Sequence, residues 1–260
     1  MSTRRKLAIA TWNAPREGSI FGRLTVNATA LLAYLEGLRH ASGEKVTITH
    51  LVGKAIAEAL RHAPSLNGRI SLGRFVPHET IDIAFLVAME EGADLAKAKV
   101  ASVDKKSVVD IARELRAMAE RLRRRRDQDF EKSTNVLRWL PTWIIKPLTR
   151  VFGWLSGALG ISARMLGLER FPFGSCIVTN VGMFGIDEGF APLVPFAHVP
   201  MVVLVGAVSE KPAVVDGHVV AQPQLTLTAT IDHRYIEGYH LATVARVVKD
   251  HLENPDKFAS

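Results

Sequence analysis

From Thr47 to Ala63 the apolar residues Leu51, Val52, Ala55, Ile56, Ala59 and Leu60 recur at the three-and-four spacing that puts side chains on one helical face. Pro64 stops that helix, because its ring removes an N–H and clashes with the preceding turn. A second helix is predicted over Ala28–Arg39, closed by Ser42-Gly43. Alternation at Ile81, Ile83, Phe85 and Val87 predicts a strand within Glu79–Met89. From Ser107 the residues Ile111, Leu115, Met118 and Leu122 again share a helical face, with Asp110 three positions after a Ser107 cap, and this helix runs into Arg123–Arg126. Beyond Gly174 the period shortens to two. Strands are predicted at Ser175–Val181, Met201–Val208 and Gln224–Ile231, and a hairpin joins Ala213–Val215 to His218–Ala221 at Asp216-Gly217. Leu241, Val244, Ala245, Val248 and Leu252 mark a last helix, ending at Asn254-Pro255. Helices, then strands, then a helix, make a mixed α/β chain without a repeated βαβ order.

At 260 residues, with 48% hydrophobic and 23% charged positions, the chain is long enough to bury a full core. Leu7–Ala10 is too short an apolar run for a secretion signal, and neither Phe190–Val208, broken by three prolines, nor the glycine-containing Val151–Ala163 reads as a membrane span. The lone Cys176 closes no intrachain disulfide, and no Cys/His spacing suits zinc, so a cytoplasmic protein without a metal is expected. The net charge of +7 is not evenly spread: Arg121–Arg170 holds eleven Lys/Arg against four Asp/Glu, together with Trp139, Trp143 and Trp154. Within it, Arg121–Arg126 continues an amphipathic helix, is closed by Asp127, Asp129 and Glu131, and carries no nucleic-acid reading motif, so no nucleic-acid partner is expected.

Chemistry concentrates where the alternating Gln224–Ile231 strand runs out into Asp232-His233-Arg234-Tyr235-Ile236-Glu237-Gly238. A histidine at a strand end, flanked by an acid and a glycine, suits proton transfer; the same pattern also fits a hydrogen-bonded structural histidine, and spacing alone leaves both open. These residues resemble the D-H-R-x-x-D-G motif of the catalytic domain of dihydrolipoamide acyltransferases of 2-oxo acid dehydrogenase complexes, relatives of chloramphenicol acetyltransferase. Thr179-Asn180-Val181-Gly182-Met183-Phe184-Gly185 resembles that family's T-I-S-N-L-G-M-F-G strand and turn, and Lys45-Val46-Thr47 leads through a helix to Pro64-Ser65-Leu66-Asn67 as in the family. The likeness covers nearly the whole chain outside Asn135–Phe171.

The resemblance implies a two-layer α/β sandwich of mixed sheet and helices, and acyl transfer between a thioester and a thiol. In that family the histidine is the general base and a hydroxyl stabilises the oxyanion; carried over, these are His233 and Thr179, with Glu237 at the motif acid. Asp232, Arg234, Asn180 and Gly238 would support or bind substrate, Asn180 pointing to the face opposite Thr179. The family's sites lie between subunits of a trimer, which implies a homotrimer or a multiple of it. There are two departures: Glu237 is one methylene longer than the family's Asp, and Glu91-Gly92 is followed by Ala93-Asp94-Leu95-Ala96-Lys97-Ala98-Lys99-Val100 in place of an apolar G-L-V-V-P-V strand. With no room ahead of Arg4 for a lipoyl domain, the expected acyl carrier is coenzyme A or a lipoyl domain on another polypeptide. The competing reading is a non-catalytic trimeric scaffold or membrane-associated assembly protein.

The expected organisation is residues 1–134 and 172–260 as two parts of one acyltransferase domain, with an apolar and basic insertion at 135–171. Pro141 and Pro147 are expected breaks in it, and Leu148, Val151, Phe152, Leu155 and Leu159 form an apolar stripe. Three readings stay open for residues 136–168: packing on the domain's own core, docking on a membrane surface, which would make the protein peripheral, or lining an acyl pocket or binding a partner.

Overall fold

Period-two alternation in six stretches closes into one mixed sheet in the computed structural model, which describes residues 18–89, 94–139, 141–162 and 169–259. The chain runs β1 (Ser19–Asn27), α1 (Thr29–Ser42), α2 (Ile48–His62), β2 (Gly68–Ser71), β3 (Arg74–Pro77), β4 (Ile83–Met89), β5 (Asp94–Val100), α3 (Val108–Trp139), α4 (Thr142–Gly153), β6 (Cys176–Asn180), β7 (Met201–Val215), β8 (His218–Asp232) and α5 (Gly238–Glu253). The sheet order is β1-β8-β7-β6-β4-β5, while β2 and β3 form a separate hairpin. The β6–β7 and β4–β6 pairs are parallel and the rest antiparallel. The Leu7–Ala10 run, Arg4 and the Glu91-Gly92 turn lie outside the described residues.

Alternation sends the two sets of side chains to opposite faces. Phe85, Val178, Val203, Leu227 and Ile231 enter the main core with Leu51, Val52 and Ile56 of α2. Ala84, Ile177 and Val202 face the other way into a smaller cluster with Ala197 and Val199. Helices α1, α2, α3 and α5 therefore lie on one side of the sheet, and the segment before β7, on which α4 packs, crosses the other.

α2 starts at Thr47, whose side chain accepts from the His50 backbone while the Thr47 backbone N–H donates to His50 Nδ1 at 3.1 Å. A histidine thus serves where a glutamate or glutamine usually closes the capping box. Burial pushes the His50 pKa down to about 4, in keeping with a ring that accepts a proton-bearing N–H. His78 is also held down to about 4, by burial first and then by Arg69. An unfolded histidine takes up its proton near pH 6.5. Between about pH 6.5 and 4 the unfolded chain therefore binds more protons than the folded one, so stability falls as pH drops through that window. Thermal melts from pH 7 to 4.5 should show this decline, and His50→Gln, which keeps the acceptor and removes the titration, should make it shallower.

Two expectations change. The expected strand Met201–Val208 fuses with Ala213–Val215 into β7 and His218–Ala221 with Gln224–Ile231 into β8, each 15 residues long, turning at Asp216 and Gly217, whose φ values of 49° and 82° fit the type I′ hairpin turn. Pro147 is not a break: it lies inside α4, where tertiary packing around the fully buried Ile145 outweighs the lost backbone hydrogen bond. The apolar stripe over 148–159 is split, with Phe152, Leu155 and Leu159 half-buried. Leu148 and Val151 point outward, while Gly153, Ser156, Gly157 and Ala158 are buried. Small residues win the inner face because the helix sits almost in backbone contact with the chain beneath it: a Cβ on Gly153 would lie 2.6 Å from Phe196 Cβ and 2.7 Å from its carbonyl oxygen.

Candidate active site

The last residues of β8 turn sharply into α5. Asp232 receives its neighbour's backbone and guanidinium together: Arg234 N donates to Asp232 Oδ1 at 2.9 Å, and Arg234 Nη2 to Oδ2 at 2.6 Å. The Asp232 N–H is held by the Pro200 carbonyl and the His233 N–H by that of Gly18. Tyr235 pins the turn from below, its buried hydroxyl accepting the Ile70 N–H at 2.9 Å and its ring meeting Phe75 edge-on. Burial raises the Tyr235 pKa. With its flanks fixed in this way, the His233 side chain stands exposed, and among the described residues its ring makes no hydrogen bond or ion pair. Glu237, also exposed, occupies the N-cap of α5 without a side-chain capping bond, and Gly238 opens the helix.

Thr179 and Asn180 point to opposite faces of β6, as expected. Asn180 Nδ2 donates to Thr49 Oγ1 on α2 at 2.7 Å, on the helix side. Thr179 is 7% exposed on the other face, and among the described residues its hydroxyl has no hydrogen-bond partner. The turn after β6 requires glycine at 182: a Cβ there would lie 2.4 Å from the Gly206 carbonyl oxygen.

A single chain brings Asp232, His233, Arg234, Glu237 and Gly238 together but leaves Thr179 apart. Thr179 aligns with Leu204, and Leu204 with Thr228, five residues before His233. At a strand spacing of about 4.8 Å and a rise of about 3.4 Å per residue, Thr179 and His233 are roughly 20 Å apart.

Two cavities near this loop were not legible in the sequence. One, of about 340 Å³, is apolar and lies between α5 and strands β1, β8 and β7; Ile231 and Gly238, on either side of the histidine turn, both line it. Gly22 pairs with Ala229 across β1 and β8, and Ala242 and Ala245 project from the helix, so small residues leave the space open. The other, of about 350 Å³, is polar and includes Arg69, His78, Asp82, Lys99 and Arg170. Arg69 and Arg170 both stack on Phe171, at 4.2 and 4.8 Å from the ring centre, and Arg69 Nε donates to the Ala158 carbonyl. Cys176 is fully buried and its thiol is pushed up by burial, which suits packing and not attack. His198 packs on Gly157, half buried, with its backbone at φ 52°. Among the described residues no group of three or more His, Cys, Asp or Glu side chains is placed to hold a metal ion.

The profile of the family described as 2-oxoacid dehydrogenases acyltransferase (catalytic domain) matches residues 19–137 and 161–259. A curated relative from Haemophilus influenzae, the dihydrolipoyllysine-residue succinyltransferase component of 2-oxoglutarate dehydrogenase complex, is 26% identical over 85% of this chain and 45% of its own length. This chain spans less than half the length of such relatives. Two solved structures each superimpose with a TM-score of 0.68 at 19% identity, over 99% of this chain and 89% of theirs. One is the cubic core of a pyruvate dehydrogenase multienzyme complex. The other, Azotobacter vinelandii dihydrolipoamide acetyltransferase, was studied for the catalytic roles of a serine, a histidine and an asparagine four positions after that histidine. A chloramphenicol acetyltransferase shares the architecture at a TM-score of 0.53 and 12% identity, over 97% of this chain and 95% of its own. With the profile matched on both sides of residues 138–160, the chain belongs to the family of 2-oxoacid dehydrogenase acyltransferase catalytic domains.

Proposed function

We propose that this protein moves an acyl group between a thioester and a thiol, the thioester being that of coenzyme A or of a lipoyl group. The observation that carries this reading is the unspent ring of His233, exposed at the end of a turn whose neighbours on both sides are tied down. In the proposed step His233 takes the proton of the incoming thiol and the thiolate sulfur bonds to the acyl carbon. The resulting oxyanion accepts a hydrogen bond from Thr179. Collapse breaks the old C–S bond, and the departing thiolate recovers the proton from His233. Preorganised donors of this kind act where charge develops, and so speed the step itself.

At roughly 20 Å apart within one chain, the two side chains meet on one thioester only if they come from different subunits. A homotrimer with its sites between subunits meets that demand, and a cubic assembly such as the relative's core has a threefold axis at every corner. Glu237 stands four positions after His233, the spacing of the asparagine and histidine studied in the Azotobacter enzyme. Its carboxylate lies at the positive end of α5, a favourable place for negative charge.

The test is an assay of the purified protein with dihydrolipoamide and a panel of acetyl, succinyl, isobutyryl and octanoyl coenzyme A, with the S-acyl product read by mass spectrometry. The branched and medium-length donors belong in the panel because the apolar cavity beside the turn is more than twice the size of one that holds benzene. Product from at least one donor is expected; none from any donor leaves the scaffold reading in its place.

A further inference from the structure

α4 is amphipathic in the opposite sense to a helix that covers a core. Its small residues face inward: a Cβ on Gly157 would lie 2.9 Å from His198 Cδ2, and Ser156, Gly157 and Ala158 are buried in the turn that prolongs the helix. Ile145 is fully buried and Phe152 half-buried, but the opposite flank carries large residues outward. Trp143 is 73% exposed, Val151 53%, Trp154 43% and Leu148 39%. At 100° per residue these four span an arc of about 140°, with Arg150 and Lys146 along one edge. Outward tryptophans and aliphatics bordered by cations describe a helix that lies in an interface.

Charge selects the occupant. From residue 132 to 168 there is no Asp or Glu, while Lys132, Arg138, Lys146, Arg150 and Arg164 are basic. With Lys146 and Arg150 at its edge and no acidic residue in α4, this face repels another copy of itself and attracts an anionic surface. The helix also falls in residues 138–160, the stretch that the family profile leaves unmatched, so the shared architecture of the family is complete without it. Among the described residues no helix is long and apolar enough to cross a membrane, so the face would lie on a bilayer and not through it.

We propose that the outward face of α4, formed by Trp143, Leu148, Val151 and Trp154 with Lys146 and Arg150 at its edge, docks this protein on anionic phospholipid. The apolar residues enter the boundary between headgroups and acyl chains, and the cations hold the lipid phosphates. The inference goes beyond acyl transfer and does not depend on it.

The experiment is sedimentation of the full chain with vesicles of phosphatidylcholine alone and of phosphatidylcholine mixed with phosphatidylglycerol. Alongside it run a Trp143→Ser, Val151→Ser, Trp154→Ser variant and a Lys146→Glu, Arg150→Glu variant, with circular dichroism and light scattering as controls. The wild type should pellet with the anionic vesicles, less so at high salt, and its tryptophan emission should shift to the blue. The triple serine variant should bind at least about tenfold more weakly with its helical signal unchanged. The charge-reversed variant should lose the preference for anionic vesicles. A wild type that stays in the supernatant with both vesicles overturns the proposal, as does a triple variant that binds like wild type. A triple variant whose only change is a smaller oligomer overturns it too, because the face then covers a second copy of the chain.

Discussion

His233→Ala is expected to lower turnover by about 10² to 10⁴, the range a positioned general base contributes, while leaving the melting temperature unchanged. The two readouts separate because the ring is exposed and makes no hydrogen bond among the described residues, whereas the turn is held by groups that the substitution does not touch. Those groups are the His233 backbone N–H on Gly18, the Asp232 and Arg234 pair, and the Tyr235 hydroxyl on Ile70. A matched variant, Tyr235→Phe, should do the reverse in part, loosening the hairpin of β2 and β3 and lowering stability with it. Steady-state rates and thermal melts on the same preparations check both. A His233→Ala protein as fast as wild type with every donor removes the histidine from the chemistry.

Thr179→Ala should cost about 10² to 10³ in turnover, the loss of one oxyanion donor, and Thr179→Ser should keep most of it. The more decisive result comes from mixing. When His233→Ala and Thr179→Ala chains are co-expressed or refolded together, a mixed trimer contains one place where an intact histidine faces an intact hydroxyl. Random assortment at equal amounts makes three quarters of the trimers mixed, each with one working site in three, so activity should return to about one quarter of wild type. Either variant alone stays slow. If the two groups met within one chain, mixing would restore nothing, since every chain would lack one of them.

Much of the architecture was legible because it rests on period and punctuation. Thr47 and Pro64 bound α2 in the sequence as they do in space, and Asp216-Gly217 marks its hairpin because few other pairs tolerate two positive φ values. The motif around His233 was legible for its residue types. What holds it was not: Tyr235 reaches Ile70, and Arg69 reaches Phe171, through contacts between residues about a hundred or more positions apart. Nor was the orientation of α4. Hydropathy alone would turn Leu148 and Val151 inward, but the segment at Phe196–His198 approaches so closely that only glycine, serine and alanine fit. Pro212 and Pro223 lie inside β7 and β8, where a proline is tolerated. Past Val205, β7 has no β6 beside it, and before Gln224, β8 has no β1 beside it, so a missing N–H there breaks no third strand's pairing.

That two-stranded arm has a consequence for the life of the protein in a cell. Its tip shows Val214 and Val219, each 74% exposed, and among the described residues no third strand pairs along its borders. On a ribosome, with sister chains emerging nearby, such an arm is a seed for intermolecular zippering. The prolines at 212 and 223 have no amide hydrogen to offer a growing aggregate, the device by which edge strands are commonly blunted.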